Sequence, residues 1–408
     1  MDIVPRPMLS VDEALERVLQ SIVSVDEIER IPTMEARGRV LAESQVSDLD
    51  VPMHDNTQMD GYAVRVADCR SGHARLRVSQ RIPAGHVGTA LAAGSAARIF
   101  TGGLIPSGAD AVVMQEDTTA ETSEDGNYVV INGTPKAGDW IRRAGEDIRS
   151  GATILSSGTR LKPQELGLAA SVGRATLPVR RRLNVAIFFT GDELAMPGQL
   201  LKPGAIYNSS RFTLRSLLED LDCSVTDLGI VPDTLVATKS ALRRAAQGHD
   251  CIITSGGVSV GEEDHIKPAV EAEGHLDLWQ IAMKPGKPLA FGRVGGTLFL
   301  GLPGNPVSSF VTFLLFVRPA LLRLQGVVDV APMAFGIRAD FDWKKPDRRQ
   351  EYLRVRLNPA GGLDLFPNQG SAVLTSTVWA DGLVENPPST AIAAGDIVRF
   401  LPFFGFAA

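Results

Sequence analysis

Three glycine-rich polar segments in the second half of the chain carry residue types that handle phosphates and hard cations. They are Thr190-Gly-Asp-Glu193, Ser255-Gly-Gly-Val-Ser-Val-Gly-Glu-Glu-Asp264 and Gly301-Leu-Pro-Gly-Asn-Pro306. Glycine lets backbone approach a ligand closely, and N–H groups at helix starts favour phosphate. The carboxylates Glu193, Asp233 and Asp264 offer oxygen ligands of the kind that suit Mg2+, an ion that bridges to substrate phosphates. Lys284-Pro-Gly-Lys287-Pro holds two ammonium groups on a turn stiffened by proline, an anion site among acidic loops and glycine cradles. Each segment has a plainer use: Gly-Asp-Glu as a helix cap, Ser-Gly-Gly as a tight turn, the lysines as solvated surface charge. Three such loops on one sheet edge favour a binding site. No His/Cys cluster offers a thiolate or imidazole metal site, and His265 beside Asp264 reads as structural. No Walker A or GxGxxG motif follows a strand, which disfavours ordinary NTPase and Rossmann readings.

These loops need an α/β scaffold. Strand-like runs at Val185–Phe189, Val225–Val231, Cys251–Thr254, Leu289–Gly292 and Leu298–Leu300 alternate with helix-like runs at Ser209–Leu221, Thr234–Ala246, His265–Ala272 and Val307–Leu324. That rhythm predicts a largely parallel sheet covered on both faces, with ligands beyond the carboxyl ends of the strands. Upstream, Ser10 and Glu13 have capping-box spacing, and Val11, Leu15, Val18, Leu19 and Ile22 follow at helical intervals. Short β-like runs (Leu76-Arg-Val, Ala97-Arg-Ile-Phe, Ala111-Val-Val-Met, Tyr128-Val-Val-Ile) then predict a β-rich insertion, and Leu161–Val172 reads as helix with Pro163 in its first turn. After Gly326 the strands Tyr352–Leu357, Gly362–Phe366 and Asp396–Phe400 predict a small β-barrel or sandwich. No internal repeat or low-complexity tract interrupts this order.

The bulk numbers narrow the function classes. With 408 residues the chain exceeds one core and is expected to form about three domains or more. Composition is 44% hydrophobic and 22% charged, ordinary for a soluble protein. A net charge of -6 and a pI near 5.6 argue against nucleic acid as the main partner. Cys69, Cys223 and Cys251 form no CxxC pair, so a reducing cytoplasm is expected rather than a disulfide framework. Residues 1–20 carry Asp2, Asp12, Glu13 and Glu16 and no signal-like apolar run. The richest apolar stretch, Val307–Leu324, contains Ser308, Ser309, Arg318 and Arg323, so a buried helix is expected and no membrane span.

The N-terminal half holds three more dense segments: Pro52–Val64 around Asp60-Gly-Tyr-Ala-Val64, Thr101–Glu116, and Arg142-Arg-Ala-Gly-Glu-Asp147-Ile148. Turn chemistry alone explains their Asp-Asn and Asp-Gly pairs, and they name no substrate. Taken in order, however, DN-x-x-MDGYAV (Asp55–Val64), TGG-x-x-P-x-GADAVV (Thr101–Val113), R-x-x-GEDI (Arg142–Ile148), TGDEL (Thr190–Leu194), SGGVSVGE-x-D (Ser255–Asp264), MKPGKP (Met283–Pro288) and GLPGNPVS (Gly301–Ser308) resemble the molybdopterin molybdenumtransferases, the MoeA family that includes the gephyrin E domain. The resemblance runs through nearly the whole chain. The set is highly specific, although TGDEL or SGG alone is not, and SGGVSVGE also occurs in related molybdopterin-binding domains.

The resemblance implies a multidomain α/β protein whose elongated subunits form homodimers. Its parts would be a helical or mixed domain from 1–44 with 148–180, an inserted β-rich domain at 45–147, a three-layer molybdopterin-binding domain at 181–327 and a C-terminal β domain at 328–408. It implies an enzyme that takes adenylated molybdopterin and molybdate, cleaves the adenylate with Mg2+, releases AMP and leaves molybdenum on the dithiolene sulfurs. Glu193, Asp233 and Asp264 would hold the metal. Thr190, Ser255, Gly256, Gly257, Ser259, Pro303, Asn305 and Pro306 would bind substrate. Lys284 and Lys287 would hold anionic groups, and Arg354 and Ser371 would stand near molybdate. Asp60, Thr101 and Asp147 would come from the partner subunit. A molybdopterin adenylyltransferase would supply the substrate and apo-molybdoenzymes would receive the product.

Two departures from the family pattern stand out. Thr57-Gln58 replaces the frequent Ser-Ala before MDGYAV, and Gln280 replaces a lysine often found four residues before Lys284. Loss of that charge bears on the affinity for molybdate or phosphate. Two rival readings remain: a non-catalytic molybdopterin carrier or scaffold, which would not demand the acidic and lysine loops, and an adenylyltransferase or pyrophosphatase-like enzyme on the shared α/β domain. The large β-rich regions on either side count against the latter.

Overall fold

The computed structural model describes residues 8–257 and 265–406, so the expected site residues Ser259 and Asp264 lie outside the described residues. The chain divides into two compact units. One comprises the chain up to Ala42, Gly158–Lys162 and the chain from Leu177 onward; the other comprises Glu43–Ser157 with Pro163–Thr176.

The centre of the first unit is a six-stranded sheet of β1 (Asn184–Thr190), β2 (Ser224–Val231), β3 (Cys251–Ser255), β4 (Gly274–Gln280), β5 (Pro288–Val294) and β6 (Thr297–Leu302). Their spatial order is β2-β1-β3-β6-β5-β4. The ladders β2–β1, β1–β3 and β3–β6 are parallel. β5 runs against both of its neighbours. The reversal has a local cause: β5 and β6 are joined by Gly295-Gly296 alone, a hairpin link, and Gly295 takes φ +59°.

Alternation along β1 decides which core each residue joins. Val185, Ile187 and Phe189 pack into one core with Leu214 and Leu218 of the helix Ser209–Asp220 and with the helix from Pro306. Ala186 and Phe188 pack into the other, with Leu242, Ala245, Ala269 and Val270 from the helices Leu235–Ala245 and Ile266–Glu273. Both faces of the central strands β1, β3 and β6 are buried, which is why these strands read as nearly unbroken apolar runs.

The helix Val11–Gln20 carries the expected capping box. Glu13 N–H donates to Ser10 Oγ at 3.2 Å, and Ser10 N–H donates to the Glu13 carboxylate at 2.9 Å. Its Val11, Ala14 and Val18 enter the first core. The apolar helix Pro306–Leu324 is long enough to cross a membrane by length and composition, and it is buried in the core instead. A π-helical turn at Phe313–Val317 precedes Pro319, which has no N–H to offer the carbonyl one turn back.

The C-terminal sheet runs Met283–Lys284, Gln350–Leu357, Gly382–Asn386, Ile397–Pro402, Phe335–Arg338, with Leu363–Leu365 also on Gln350–Leu357. One side carries its own core of Leu353, Val355, Val384 and Phe400. Tyr352, Leu383 and Leu401 from the other side join the α/β core. The strand Met283–Lys284 was not expected. It places the lysine turn in the C-terminal sheet, parallel to Gln350–Glu351.

The second unit is built on another six-stranded sheet, ordered Ala111–Met114, Gly61–Val64, Ser95–Ile99, His73–Ile82, Gly126–Asn132, Thr118–Ser123. Every β-like run named for the insertion lies on it. Its two faces hold separate clusters, one around Tyr62, Leu76, Val113 and Ile131 and one around Ala63, Ile82, Ile99 and Val112.

Candidate active site

Beyond the carboxyl ends of β1, β3 and β6 the expected loops converge on one cleft of about 670 Å³. Close backbone packing brings them together. A Cβ on Gly256 (φ +99°) would stand 2.4 Å from the Thr190 carbonyl, so the β3 loop meets β1 only because that residue is glycine. Gly256 N–H donates to the Leu302 carbonyl at 3.2 Å. Ser255 Oγ donates to the Pro303 carbonyl at 2.9 Å, tying the β3 and β6 loops. At Gly191 a side chain would collide with the Glu193 carboxylate, with 2.5 Å between the added carbon and an oxygen.

Glu193, Asp233, Thr190, Ser255, Gly256, Gly257, Pro303, Asn305 and Pro306 all line this cleft. Two lining groups are polar, 2% exposed and without a hydrogen-bond partner among the described residues: Thr190 Oγ1 and Asn208 Nδ2. Buried polar atoms in this condition carry a free-energy cost until a ligand or water pairs with them. Asn208 has fixed orientation, because its Oδ1 accepts the Arg211 N–H at 3.0 Å and caps the helix Ser209–Asp220. Asn208, Tyr207, Ser209, Ser210 and Ser308 line the cleft as well and were not singled out from sequence. An asparagine directly before a helical run is an N-cap signal, and this one lies on the cleft at the sheet edge.

A hard cation fits this donor set in part. Among the described residues no three His, Cys, Asp or Glu side chains come together as a metal site. Glu193 and Asp233 supply two carboxylates to one cleft, and Asp264, the third expected ligand, lies outside the described residues. Two carboxylates, a hydroxyl and glycine amides suit an ion that keeps several waters and shares phosphate oxygens with a substrate.

The remaining expected residues of this unit stand outside the cleft lining. Arg354 is 1% exposed, and its guanidinium donates to the carbonyls of Tyr352 (3.0 Å) and Gly370 (3.2 Å) and to Ser376 Oγ (3.2 Å). Burial pushes its pKa down to about 10. Arg354, expected beside an oxyanion, thus gives an N–H from each of its three side-chain nitrogens to protein acceptors. Its grip on Gly370 anchors the turn that carries Ser371, whose carbonyl accepts the Val307 N–H at 3.0 Å, and the next residue, Ala372, lines the cleft. Lys287 is exposed. Lys284 Nζ lies 3.2 Å from Glu351 Oε1 and 3.4 Å from Asp347 Oδ2, so it is not a loosely solvated lysine. Arg349 in turn holds the Asp347 carboxyl well below the usual carboxylate range. Gln280 ends β4, paired with Pro288.

In the second unit Asp60 and Thr101 form a pair of their own. Asp60 Oδ1 accepts from Thr101 N–H at 2.7 Å and from its hydroxyl at 2.8 Å, which lowers the Asp60 pKa. Asp147 is exposed, its N–H donated to the Val51 carbonyl at 3.0 Å. Thr57 is buried and its hydroxyl donates to the Met59 carbonyl at 2.6 Å, closing the turn before Asp60.

Family models match the chain in three consecutive stretches: the MoeA N-terminal region (domain I and II) over residues 9–173, a probable molybdopterin binding domain over 186–323 and the MoeA C-terminal region (domain IV) over 337–403. The chain is 39% identical to the molybdopterin molybdenumtransferase of Haemophilus influenzae over 97% of its own length and 99% of that protein's. It is 35% identical to molybdopterin molybdenumtransferase 2 of Mycobacterium tuberculosis, covering 95% of this chain and 98% of that one. The crystal structure of the molybdopterin biosynthesis moeA protein from Pyrococcus horikoshii OT3 superposes with a TM-score of 0.85 at 28% identity, covering 97% of this chain and 100% of that one. With near-complete coverage on both sides, the chain belongs to the molybdopterin molybdenumtransferase family.

Proposed function

We propose that the protein inserts molybdenum into molybdopterin, cleaving adenylated molybdopterin and releasing AMP as molybdate is ligated to the dithiolene. The observation that carries this reading is the cleft itself: the carboxylates Glu193 and Asp233 line it together with glycine loops and two buried polar groups without a partner among the described residues, Thr190 Oγ1 and Asn208 Nδ2. Glu193 and Asp233, with Asp264, would hold Mg2+, which when bound polarises the phosphate being cleaved. The Ser255–Gly257 and Pro303–Pro306 loops, with Ser259, bind and orient the phosphate-bearing substrate through backbone N–H groups and hydroxyls. Lys284 and Lys287 attract the tetrahedral dianion molybdate. Ser371 stands in the same neighbourhood on the turn that Arg354 anchors. Asp60, Thr101 and Asp147 complete the site from the partner subunit of a homodimer. The protein works in the cytoplasm, taking its substrate from a molybdopterin adenylyltransferase and passing the product to apo-molybdoenzymes.

The test is AMP release from adenylated molybdopterin, with and without molybdate and Mg2+, followed by transfer of the product to an apo-molybdoenzyme. Molybdate-stimulated release that depends on Mg2+ is the expected result, with no ATP consumed. Tight binding of the adenylate without turnover under any metal overturns the reading in favour of a carrier.

A further inference from the structure

Glu351 lies on the strand Gln350–Leu357, and its side chain is 1% exposed. A carboxylate removed from water is costly unless it is both hydrogen-bonded and paired with a cation. Its Oε2 is engaged by neutral donors: Trp343 Nε1 at 2.7 Å, Asp347 N–H at 3.0 Å and Asn386 Nδ2 at 3.5 Å. The ion pair comes on the other oxygen, from Lys284 Nζ at 3.2 Å. The backbones are matched too, since Lys284 stands opposite Glu351 in the parallel ladder.

An ammonium has three N–H donors. On Lys284 one is directed at Glu351, and the Asp347 carboxylate, which Arg349 also holds, stands at ion-pair distance, 3.4 Å. The side chain is nonetheless 39% exposed, which leaves a donor for an incoming anion. Two carboxylates on one lysine lower its pull on anions at long range. What they confer is a defined position, and a single charge-assisted hydrogen bond to a tetrahedral oxyanion depends on position.

We infer that Glu351 is a positioning residue of the molybdate site: it fixes the Lys284 ammonium from the C-terminal β domain so that its remaining donor meets the oxyanion. The inference rests on the insertase reading and on the anion-holding role of Lys284 within it. Glu351 touches no substrate; it acts through Lys284.

The experiment is a double-mutant cycle with molybdate as the varied substrate and AMP release as the signal. Glu351→Gln keeps the side-chain shape and an acceptor for Trp343 while removing the charge. Its molybdate KM should rise about tenfold, the scale of one hydrogen bond to a charged group, while kcat at saturating molybdate stays within about twofold. In a Lys284→Gln background the same change should leave the molybdate KM where Lys284→Gln alone put it. Glu351→Asp, which keeps the charge and withdraws it by one methylene, should shift KM in the same direction and serves if the glutamine variant does not fold. Effects that multiply independently in the two backgrounds overturn the inference. So does a lowered Tm with an unchanged molybdate KM, which would leave Glu351 a purely structural acid. A wild-type protein that shows no molybdate-dependent AMP release fails the insertase reading itself. A wild type that turns over while both Glu351 variants keep its molybdate KM fails this inference alone.

Discussion

Thr190 illustrates how a single side chain separates folding from function. Its hydroxyl is buried and makes no hydrogen bond among the described residues, so Thr190→Val should leave Tm unchanged or slightly raised. The same change should weaken binding of the adenylated substrate by about tenfold, read by calorimetry, because the ligand loses the group that would have satisfied it. The cysteines lie at the opposite extreme of usefulness. Burial pushes the Cys69 thiol up to about 11 and the Cys223 thiol up to about 12, and Cys251 is raised as well. Thiolate is the reactive form, so none of the three should be alkylated by iodoacetamide in the native protein at about pH 8, and all three should react in denaturant. Asp340 sets part of the acid limb. Hydrogen bonds from Arg338 and Asn358 lower its pKa to about 2. Its contribution to stability is therefore complete above the ordinary aspartate value of about 4 and is lost as pH falls toward 2. Arg338→Met should flatten the melting curve against pH in that window. At this scale the sequence named the carboxylates and glycine loops of the cleft, because those residues announce their chemistry by type. Asn208 escaped because an N-cap asparagine has the same spacing whether it faces water or a ligand. The partners of Arg354 were not legible, because no sequence pattern tells an arginine that binds an anion from one that binds carbonyls.

Elements are stabilised by local signals that can be tested one at a time. Ser10 and Glu13 satisfy each other's N–H groups at the start of Val11–Gln20, so Ser10→Ala should cost about 1 kcal/mol in denaturant unfolding, with AMP release unaffected. Gly256→Ala is the contrasting case: its Cβ would strike the Thr190 carbonyl and its φ of +99° disfavours any L side chain. It should spread the β1 and β3 loops and abolish substrate binding while circular dichroism stays native. The helices and five of the six strands of the α/β core were readable because apolar runs and helical spacing persist over several residues, whereas β4, with His275, Asp277 and Gln280 in it, was not. The reversal of β5 was not read because its cause is two glycines, Gly295 and Gly296, outside the periodic pattern. The short strand Met283–Lys284 was missed for a related reason. Two residues carry no periodicity, and its partner strand is more than sixty positions away.

For the molecule as a whole, the C-terminal sheet is not an independent bead on the α/β core. Tyr352, Leu383, Leu401 and Phe406 share a core with β1, β3 and the helix from Pro306. Arg318, buried in that helix, donates to the carbonyls of Val330 (3.0 Å) and Phe406 (2.7 Å). Truncation after Gly326 should therefore leave an aggregating fragment without a cooperative melting transition, because it exposes that apolar surface and strands the Arg318 donors. Recovery of a monodisperse, cooperatively melting fragment would show that the shared core is dispensable. Composition and motif order pointed to several domains, but where their cores merge depends on side chains far apart in sequence. The two-residue strand Met283–Lys284 gives this coupling an evolutionary and engineering consequence. A gene fusion that exchanged residues beyond 327 between relatives would bring in a foreign sheet while its edge strand, with Lys284, remained encoded in the host portion. Recombination is then expected to succeed only where both halves of that seam are inherited together, so the lysine turn and the strand around Glu351 should behave as one heritable cassette despite their distance along the gene.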